Sequence, residues 1–434
     1  MVTAAISKDA ATTCDLAIIG CGLSGLAAAL FAVEKGFSTV QVGVSGGLMF
    51  ATGLLDVMGT HPIETGHGWT DPWAAIDALS NDIPDHPYAR LTTDIIKEAM
   101  EKVVLFLGQN GLSYVKSGEN NSEIMTLLGT TKRSYYIPST MWEGVRALRE
   151  KRPCLIVGFD ELKDFSATQI TKNLTGEWPG LRSLSISLSG ITAASPLVSG
   201  DILARDMEMP GNLEKLVRLI RPHLEDAETV GLPAILGMKR PQENIEALAR
   251  ELGTRVFEIP TTPLSVPGIR INEIFMERLA ERGVKLSFPE RVLSWEKAAD
   301  GAFVLTMGQG LQKKWVRAEG VILATGRFWA HGLRADRDRI RETLFGLPVH
   351  QPEKRDEWHQ EDFLDLRGHP ANRAGLTIDN QFRPLNRAGE PAFEKLFAAG
   401  SILAHQDWVR MKCGSGMSIS TAYGAVEAFS RSRG

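Results

Sequence analysis

Cysteine is scarce in this chain: Cys14, Cys21, Cys154 and Cys413 are the only four in 434 residues. They form no CxxC pair and no iron–sulfur run, so this chain alone should carry no cluster. Their scatter fits a reducing compartment. Neither charge sign is in excess. Lys and Arg number 48 against 52 Asp and Glu, a net charge of -4, which gives no basis for a nucleic-acid-binding surface. Internal repeats and low-complexity tracts are missing as well. What remains is 43% hydrophobic and 23% charged, the make-up of an ordinary globular protein of two or three domains.

Long apolar runs are also lacking, with one exception. Leu16 to Val33 is uncharged and about long enough to span a bilayer. A buried parallel strand followed by its helix has the same composition. Upstream, Met1 to Thr13 holds Lys8 as its only basic residue, beside Asp9, which makes a poor signal-peptide start. The expectation is a soluble cytoplasmic protein.

Inside that run stands Gly20-x-Gly22-x-x-Gly25, between a run of β-formers and a helix-forming stretch of small residues. Gly20 suits a tight turn, Gly22 a close backbone approach to a pyrophosphate, and Gly25 close helix–strand packing. The amides of Leu23 and Ser24 open the helix, where unpaired N–H groups and a partial positive charge favour phosphate. A second strand is read in Phe37 to Val44. Ser45 to Asp56 follows, a loop whose Gly46, Gly47 and Gly53 let backbone pass close to a ring or phosphate. Thr60 to Tyr88 reads as irregular, and Leu91 to Leu107 as an amphipathic helix.

The middle of the chain alternates. Strands are read at Cys154–Gly158, Ser183–Leu188 and Arg255–Ile259, and helices at Asn212–Leu224 and Pro241–Leu252. That suggests a separate α/β unit between about Arg152 and Pro260. Beyond Pro263, Ile269–Arg282 reads as a helix stopped by Gly283. Short strands follow at Val284–Phe288, Phe303–Thr306 and Trp315–Arg317. Then come Gly320–Gly326, Lys395–Gly400 and a last helix over about Ser418–Ser430.

Three glycine-bearing strand ends now stand together: Gly20 to Gly25, Ala324-Thr325-Gly326, and Gly400-Ser401. In this arrangement the chain resembles the glutathione-reductase-type FAD-binding flavoproteins. The resemblance implies a flavin at the glycine turn and a C-terminal helix opened by Gly414, Ser415, Gly416 and Met417, whose amides face the flavin ring. Two features depart from the pattern. No carboxylate lies in Val42–Ser45, where the adenosine ribose is usually held, and Ser401 replaces an acidic residue near the ribityl chain. FAD and FMN both stay open.

Over nearly its full length the chain is similar to the B-subunit family of anaerobic glycerol-3-phosphate dehydrogenase. The likeness rests on the glycine turn, Phe50–Asp56, His86–Tyr88, Leu128–Arg133, Pro263–Arg270, Leu323–Gly326 and Phe397–Ser401. It implies an α/β fold: a discontinuous glutathione-reductase-type FAD/NAD(P)-binding Rossmann-like domain, residues 1–90 and 263–434, with an inserted α/β middle (cap) domain, residues 91–262. It also implies a flavoprotein component of a respiratory complex. That complex oxidises glycerol 3-phosphate, a small phosphorylated alcohol, to dihydroxyacetone phosphate and passes electrons to quinone. Its partners are a catalytic, FAD-bearing A-type subunit and an iron–sulfur, membrane-attached C-type subunit, so the chain meets the inner face of the membrane only through them. The family's B-type subunit is described with FMN, whereas the complete glycine turn favours FAD. A flavin-carrying relay or assembly subunit without substrate chemistry is the alternative, as is a stand-alone FAD-dependent oxidoreductase.

Oxidation of an alcohol by a flavin needs a base near the hydroxyl and cations for a phosphate. Arg270 follows Pro267-Gly268 at a helix start, a place for an anion-facing cation. Arg133, with Lys132, follows Gly129-Thr-Thr and is in line to reach the cleft. His405 follows Gly400, in the loop that should border the flavin. Arg410 and Lys412 precede the last glycine turn. No metal ligand set is expected.

Overall fold

A computed structural model of the chain describes residues 11–433 except 45, 192–196 and 310–311. The segment read for a signal-peptide start, up to residue 10, and Ser45 of the small-residue loop lie outside the described residues.

The first strand, Thr12–Ile19, is buried on both faces from Leu16 onward. That is the signature of a central parallel strand. Thr39–Val42 flanks it on one side and Gln312–Leu323 on the other, both parallel to it. Lys285–Ser287 adds an outer parallel strand beside Thr39–Val42. The Gln312–Leu323 strand changes partners along its length. Its first half pairs antiparallel with Phe303–Gln309, which pairs in turn with Arg291–Lys297. Its end pairs parallel with Leu396–Ala398. The result is one seven-stranded sheet.

The apolar run Leu16–Val33 is thus a strand and a helix. In the helix, Leu23–Glu34, every residue from Ser24 to Ala32 is buried, because it lies between the sheet and the C-terminal helix Gly414–Arg431. Phe31 meets Tyr423 edge to face at 5.0 Å. A helix buried on all sides reads in sequence like a membrane span. Among the described residues no helix is long and apolar enough to cross a membrane.

A second, four-stranded parallel sheet runs in the order Arg255–Ile259, Thr229–Pro233, Cys154–Phe159, Leu181–Ile186. It has its own core, which includes Ile156, Val157, Leu232 and Phe257. The helix Thr93–Gln109 belongs elsewhere. It buries Ile96, Met100, Val103 and Phe106 in the core of the seven-stranded sheet, and the rings of Phe106 and Phe275 lie 4.9 Å apart between centroids.

Several elements differ from the sequence reading. Trp315–Arg317 and Gly320–Leu323 are parts of one strand. Gly320 does not break it; a side chain there would meet the Phe429 ring at 2.5 Å, so glycine serves packing. Thr60–Tyr88 is not all irregular, since Pro72–Asp82 is a helix. Asp71 caps it by accepting from the amides of Trp73 and Ala74, and Pro72 sits in the first turn. The strands Thr229–Pro233 and Arg291–Lys297 are further elements that the sequence pattern did not announce.

Candidate functional site

The parallel strands of the large sheet end at one edge, at Ile19, Val42, Leu323 and Ala398. In open α/β sheets, ligands bind outside this carboxyl edge. The chain's glycine clusters follow directly from it. Gly20 has φ +132°, and a Cβ on it would lie 2.0 Å from the Ala324 carbonyl oxygen. Gly400 has φ +80°, and a Cβ there would fall 1.9 Å from Ser24 Oγ and 4.0 Å from Ser418 Oγ. Gly400 is therefore wedged between the first helix and the C-terminal helix. A Cβ on Gly25 would meet the Gly20 carbonyl oxygen at 2.1 Å, so helix and turn touch through backbone.

Gly22 behaves differently. Nothing lies within 4 Å of where its Cβ would stand, so no packing within the chain requires glycine there. Gly22 caps the helix with extended backbone and no side-chain capping bond, and the first turn holds no acidic residue. The amide end of that helix is open to an anion. Gly46 crosses over the turn, its Cβ position 2.1 Å from the Cys21 carbonyl oxygen and 2.8 Å from Gly22 Cα. Gly47 is exposed beside it. Thr325 Oγ1 is buried without a hydrogen-bond partner. The structure therefore brings together Gly20, Gly22, Leu23, Ser24, Gly25, Gly46, Ala324, Thr325, Gly326, Gly400 and Ser401.

Gly53 stands apart from the turn. With φ +82° it faces Pro267, whose Cβ would be 2.5 Å from its own, so it seats the helix Val266–Glu281. The strand end at Val42 carries no carboxylate. A side chain at Gly43 would collide with Cys21 Sγ at 2.3 Å, because Cys21 fills that space.

The C-terminal helix starts at Gly414, four residues ahead of the expected Ser418, and its N-terminal cap, Cys413, makes no side-chain capping bond. The Gly416 amide donates to the Asp56 carbonyl oxygen at 2.7 Å, and Ser415 Oγ donates to the Leu54 carbonyl oxygen at 3.3 Å. Met417 is fully buried. Loop Gly46–Asp56 and the helix start are thus one surface. Asp56 Oδ2 accepts from Lys132 Nζ at 2.6 Å, while Asp56 Oδ1 is buried without a partner. Lys412, in left-handed backbone at φ 53°, immediately precedes this helix start. It is half-buried, and burial followed by repulsion from Lys132 pushes its ammonium below the usual lysine range. Lys132 is offset by Asp56 and the Gly416 amide is taken by the Asp56 carbonyl, so Lys412, with no ion pair among the described residues, is the cation this corner offers to an anion. Asp56 was legible as the acidic end of a small-residue loop. Its meeting with Lys132, 76 residues away, was not.

The three candidate catalytic residues lie elsewhere. Arg270 is buried and forms a two-pronged pair with Glu258, Nη1 to Oε2 at 2.7 Å and Nη2 to Oε1 at 2.8 Å. Its Nε donates to the Gly237 carbonyl oxygen at 2.8 Å. All three guanidinium nitrogens are engaged in joining the Val266–Glu281 helix to the four-stranded unit. Arg133 sits on the strand Thr131–Ser134 and pairs with Glu123 at 3.3 Å, its Nη1 over Gly68. Neighbouring strand residues point to opposite faces, so Lys132 reaches Asp56 while Arg133 turns away. His405 packs on His350 at 4.1 Å between ring centroids and lies 3.5 Å from Thr377 Oγ1. Burial, then His350, pulls its pKa down to about 4, so the ring is neutral at pH 7. Arg327 is a clamp: Nε donates to the Ser401 carbonyl oxygen at 2.6 Å and Nη2 to that of Gln406 at 3.0 Å.

Compared with known proteins, residues 15–417 match the family model described as an FAD binding domain. The chain is 30% identical over 424 residues to the B subunit of anaerobic glycerol-3-phosphate dehydrogenase from Vibrio vulnificus strain YJ016, covering 95% of each chain. It is 30% identical over 432 residues to a probable B subunit of the same dehydrogenase from Halobacterium salinarum, covering 95% of this chain and 97% of that one.

Proposed function

The chain belongs to the FAD-binding-domain family and to the B-subunit family of anaerobic glycerol-3-phosphate dehydrogenase, and from that premise we propose that it is the flavoprotein B-type component of a respiratory glycerol-3-phosphate dehydrogenase. The observation that carries this reading is end-to-end similarity to relatives of that name. A bound flavin supplies a two-electron acceptor at the carboxyl edge of the sheet. The open Cβ position at Gly22, the Gly46 crossing and the orphaned Thr325 hydroxyl fit such a group.

In this reading the amides of Gly22, Leu23, Ser24 and Gly25 hold the pyrophosphate. Gly46 and Gly47 border it, and Ala324 to Gly326 with Gly400 and Ser401 line the ribityl side. The first turn of Gly414 to Met417 faces the anionic edge of the flavin ring. Lys412, beside the Lys132–Asp56 pair, holds the substrate phosphate. The family match and the glycine turn support FAD; the missing carboxylate near Val42 supports FMN. Denaturing the protein and separating the released flavin decides between them. The unit around residues 154–259 serves as a cap domain. Partners of the A and C type complete the complex and carry it to the inner face of the membrane and to quinone.

A second reading has its own support. Arg270, Arg133 and His405 are engaged with Glu258, Glu123 and His350, so none of the three stands as a base against the glycine cluster. That favours a flavin relay without substrate chemistry. Anaerobic addition of glycerol 3-phosphate to the isolated flavoprotein separates the two. Prompt bleaching sinks the relay. Bleaching only after an A-type partner is added sinks substrate oxidation by this chain.

A further inference from the structure

We propose that the apolar rim around the cofactor cleft is the docking face for a redox-carrying protein subunit, the one that exchanges electrons with the flavin. This rests on the complex-subunit reading above and adds to it a place on the surface.

The rim is built from loops that leave the cleft itself. Phe50 closes the turn Gly47–Phe50, Trp329 follows Gly326 by three residues, and Trp408 lies just ahead of Gly414. Each is exposed, Trp329 to 72%. Phe50 and Trp329 pack edge to face at 5.5 Å, on the surface instead of in the core. Leu264, also exposed, adjoins them, since the Ser265 amide donates to the Met49 carbonyl oxygen at 2.8 Å. On the far side, Phe363 and Leu364 are 82% and 76% exposed. Their turn is held beside Trp408, because Gly368 packs against the side chains of Asp407 and Arg410. Arg327 fastens the two sides together by holding the carbonyls of Ser401, Gln406 and Asn372. Apolar exposure gathered in two such groups on one clamped frame marks an interaction site.

Charge chooses the occupant. The hairpin Leu333–Ala335 and Ile340–Glu342 lifts Arg337 and Arg339 at its tip, exposed and with no ion pair among the described residues. The opposite edge carries exposed Glu361 and Asp362. An apolar centre with a rim of both signs complements a protein face. An anionic bilayer would be repelled along the Glu361–Asp362 edge. Docking here sets the partner's redox centre over the cleft mouth, where electron exchange requires it.

The test uses the full flavin-loaded chain with its companion subunits. Hydrogen exchange is measured with and without them, and binding is titrated for wild type, Trp329→Ser, Leu364→Ser, and the double variant Arg337→Glu with Arg339→Glu. Expected are protection at residues 327–331 and 361–366, and dissociation constants raised about 30-fold by Trp329→Ser, the size of an interface hot spot. The charge variant should slow association and flatten its salt dependence. The visible flavin spectrum should stay unchanged in all of them. Complex formation that protects another face, with Trp329→Ser binding normally, overturns this proposal alone. Failure to form any complex overturns it together with the complex-subunit reading. Trp329-dependent binding to phosphatidylglycerol vesicles, or self-association lost in Trp329→Ser, assigns the rim to a lipid surface or a second copy and overturns it as well.

Discussion

Arg270→Met should destabilise the protein by about 4 kcal/mol while leaving flavin chemistry largely intact. The magnitude follows from burial. Arg270 is 3% exposed and Glu258 is fully buried. Methionine matches the arginine stem in length but removes both charge-assisted bonds to Glu258 and the bond to the Gly237 carbonyl oxygen. Among the described residues, Glu258 then keeps only the Leu236 amide, at 2.9 Å. Breaking a buried pair from one side costs about 3–5 kcal/mol, because the surviving charge stays buried without compensation. That is a large share of the roughly 5–15 kcal/mol that holds a domain folded. Urea midpoints and thermal melts of wild type, Arg270→Met, and the double variant Glu258→Leu with Arg270→Met read the effect. Single substitution should lower the melting temperature by about 10 °C, and the double variant should recover most of the loss. A single-variant loss under about 1 kcal/mol, or a double variant no better than the single, would refute the reasoning. An unchanged melt combined with lost response to a phosphorylated substrate would restore Arg270 as an anion-facing cation.

Gly22→Val should keep the fold and lose the flavin: no atom lies within 4 Å of the new Cβ, so the melt of the apoprotein should match wild type while absorbance near the flavin bands falls. Gly400→Ala should instead lower both together, since its Cβ would enter Ser24 Oγ at 1.9 Å from a left-handed backbone; retained stability would show that the two helices can move apart. Burial draws His405 down to about 4 and His86 to about 3, so the folded chain refuses protons that the unfolded chain binds below its usual histidine pKa. Stability should therefore fall as pH drops from about 6.5, by up to ~1.4 kcal/mol per unit per group, levelling near 4 for His405 and near 3 for His86. His405→Asn should remove its share of the slope between pH 6.5 and about 4 in urea titrations and leave that of His86, and an unchanged slope would sink the assignment. Lys412→Met should leave the melt unchanged, since Lys412 has no ion pair among the described residues and burial already disfavours its charge, yet weaken glycerol 3-phosphate binding about tenfold in flavin difference spectra, a charge-assisted contact's worth. Equal affinity would remove Lys412 from the site.

Much of the glycine-lined sheet edge could be read from the chain because its signals are local. A glycine turn between strand and helix needs only a few consecutive residues, and Ala324–Gly326 and Gly400–Ser401 announce themselves the same way. The cationic corner was half legible. Lys412 and Asp56 both stood in loops already singled out, but their neighbourhood with Lys132 depends on how the strand Thr131–Ser134 is laid against loop Gly46–Asp56. The catalytic candidates were read from spacing alone. Spacing places Arg270 at a helix start but says nothing of Glu258, which arrives from another sheet.

The glycine turn, the order of the strands' glycine ends and the fully apolar helix behind them are legible in the chain alone. These depend on backbone conformation and burial, which neighbours in the chain impose. Which charges are free depends on the packing of distant segments. A guanidinium or ammonium is available to a ligand when no carboxylate packs against it, and the partners of Arg270, Arg133 and Lys132 come from another sheet, from the facing strand of a hairpin and from a loop 76 residues away. The same holds for the apolar rim. Phe50, Trp329 and Phe363 look like core residues in the sequence, and only the packed chain leaves them outside, around the mouth of the cleft.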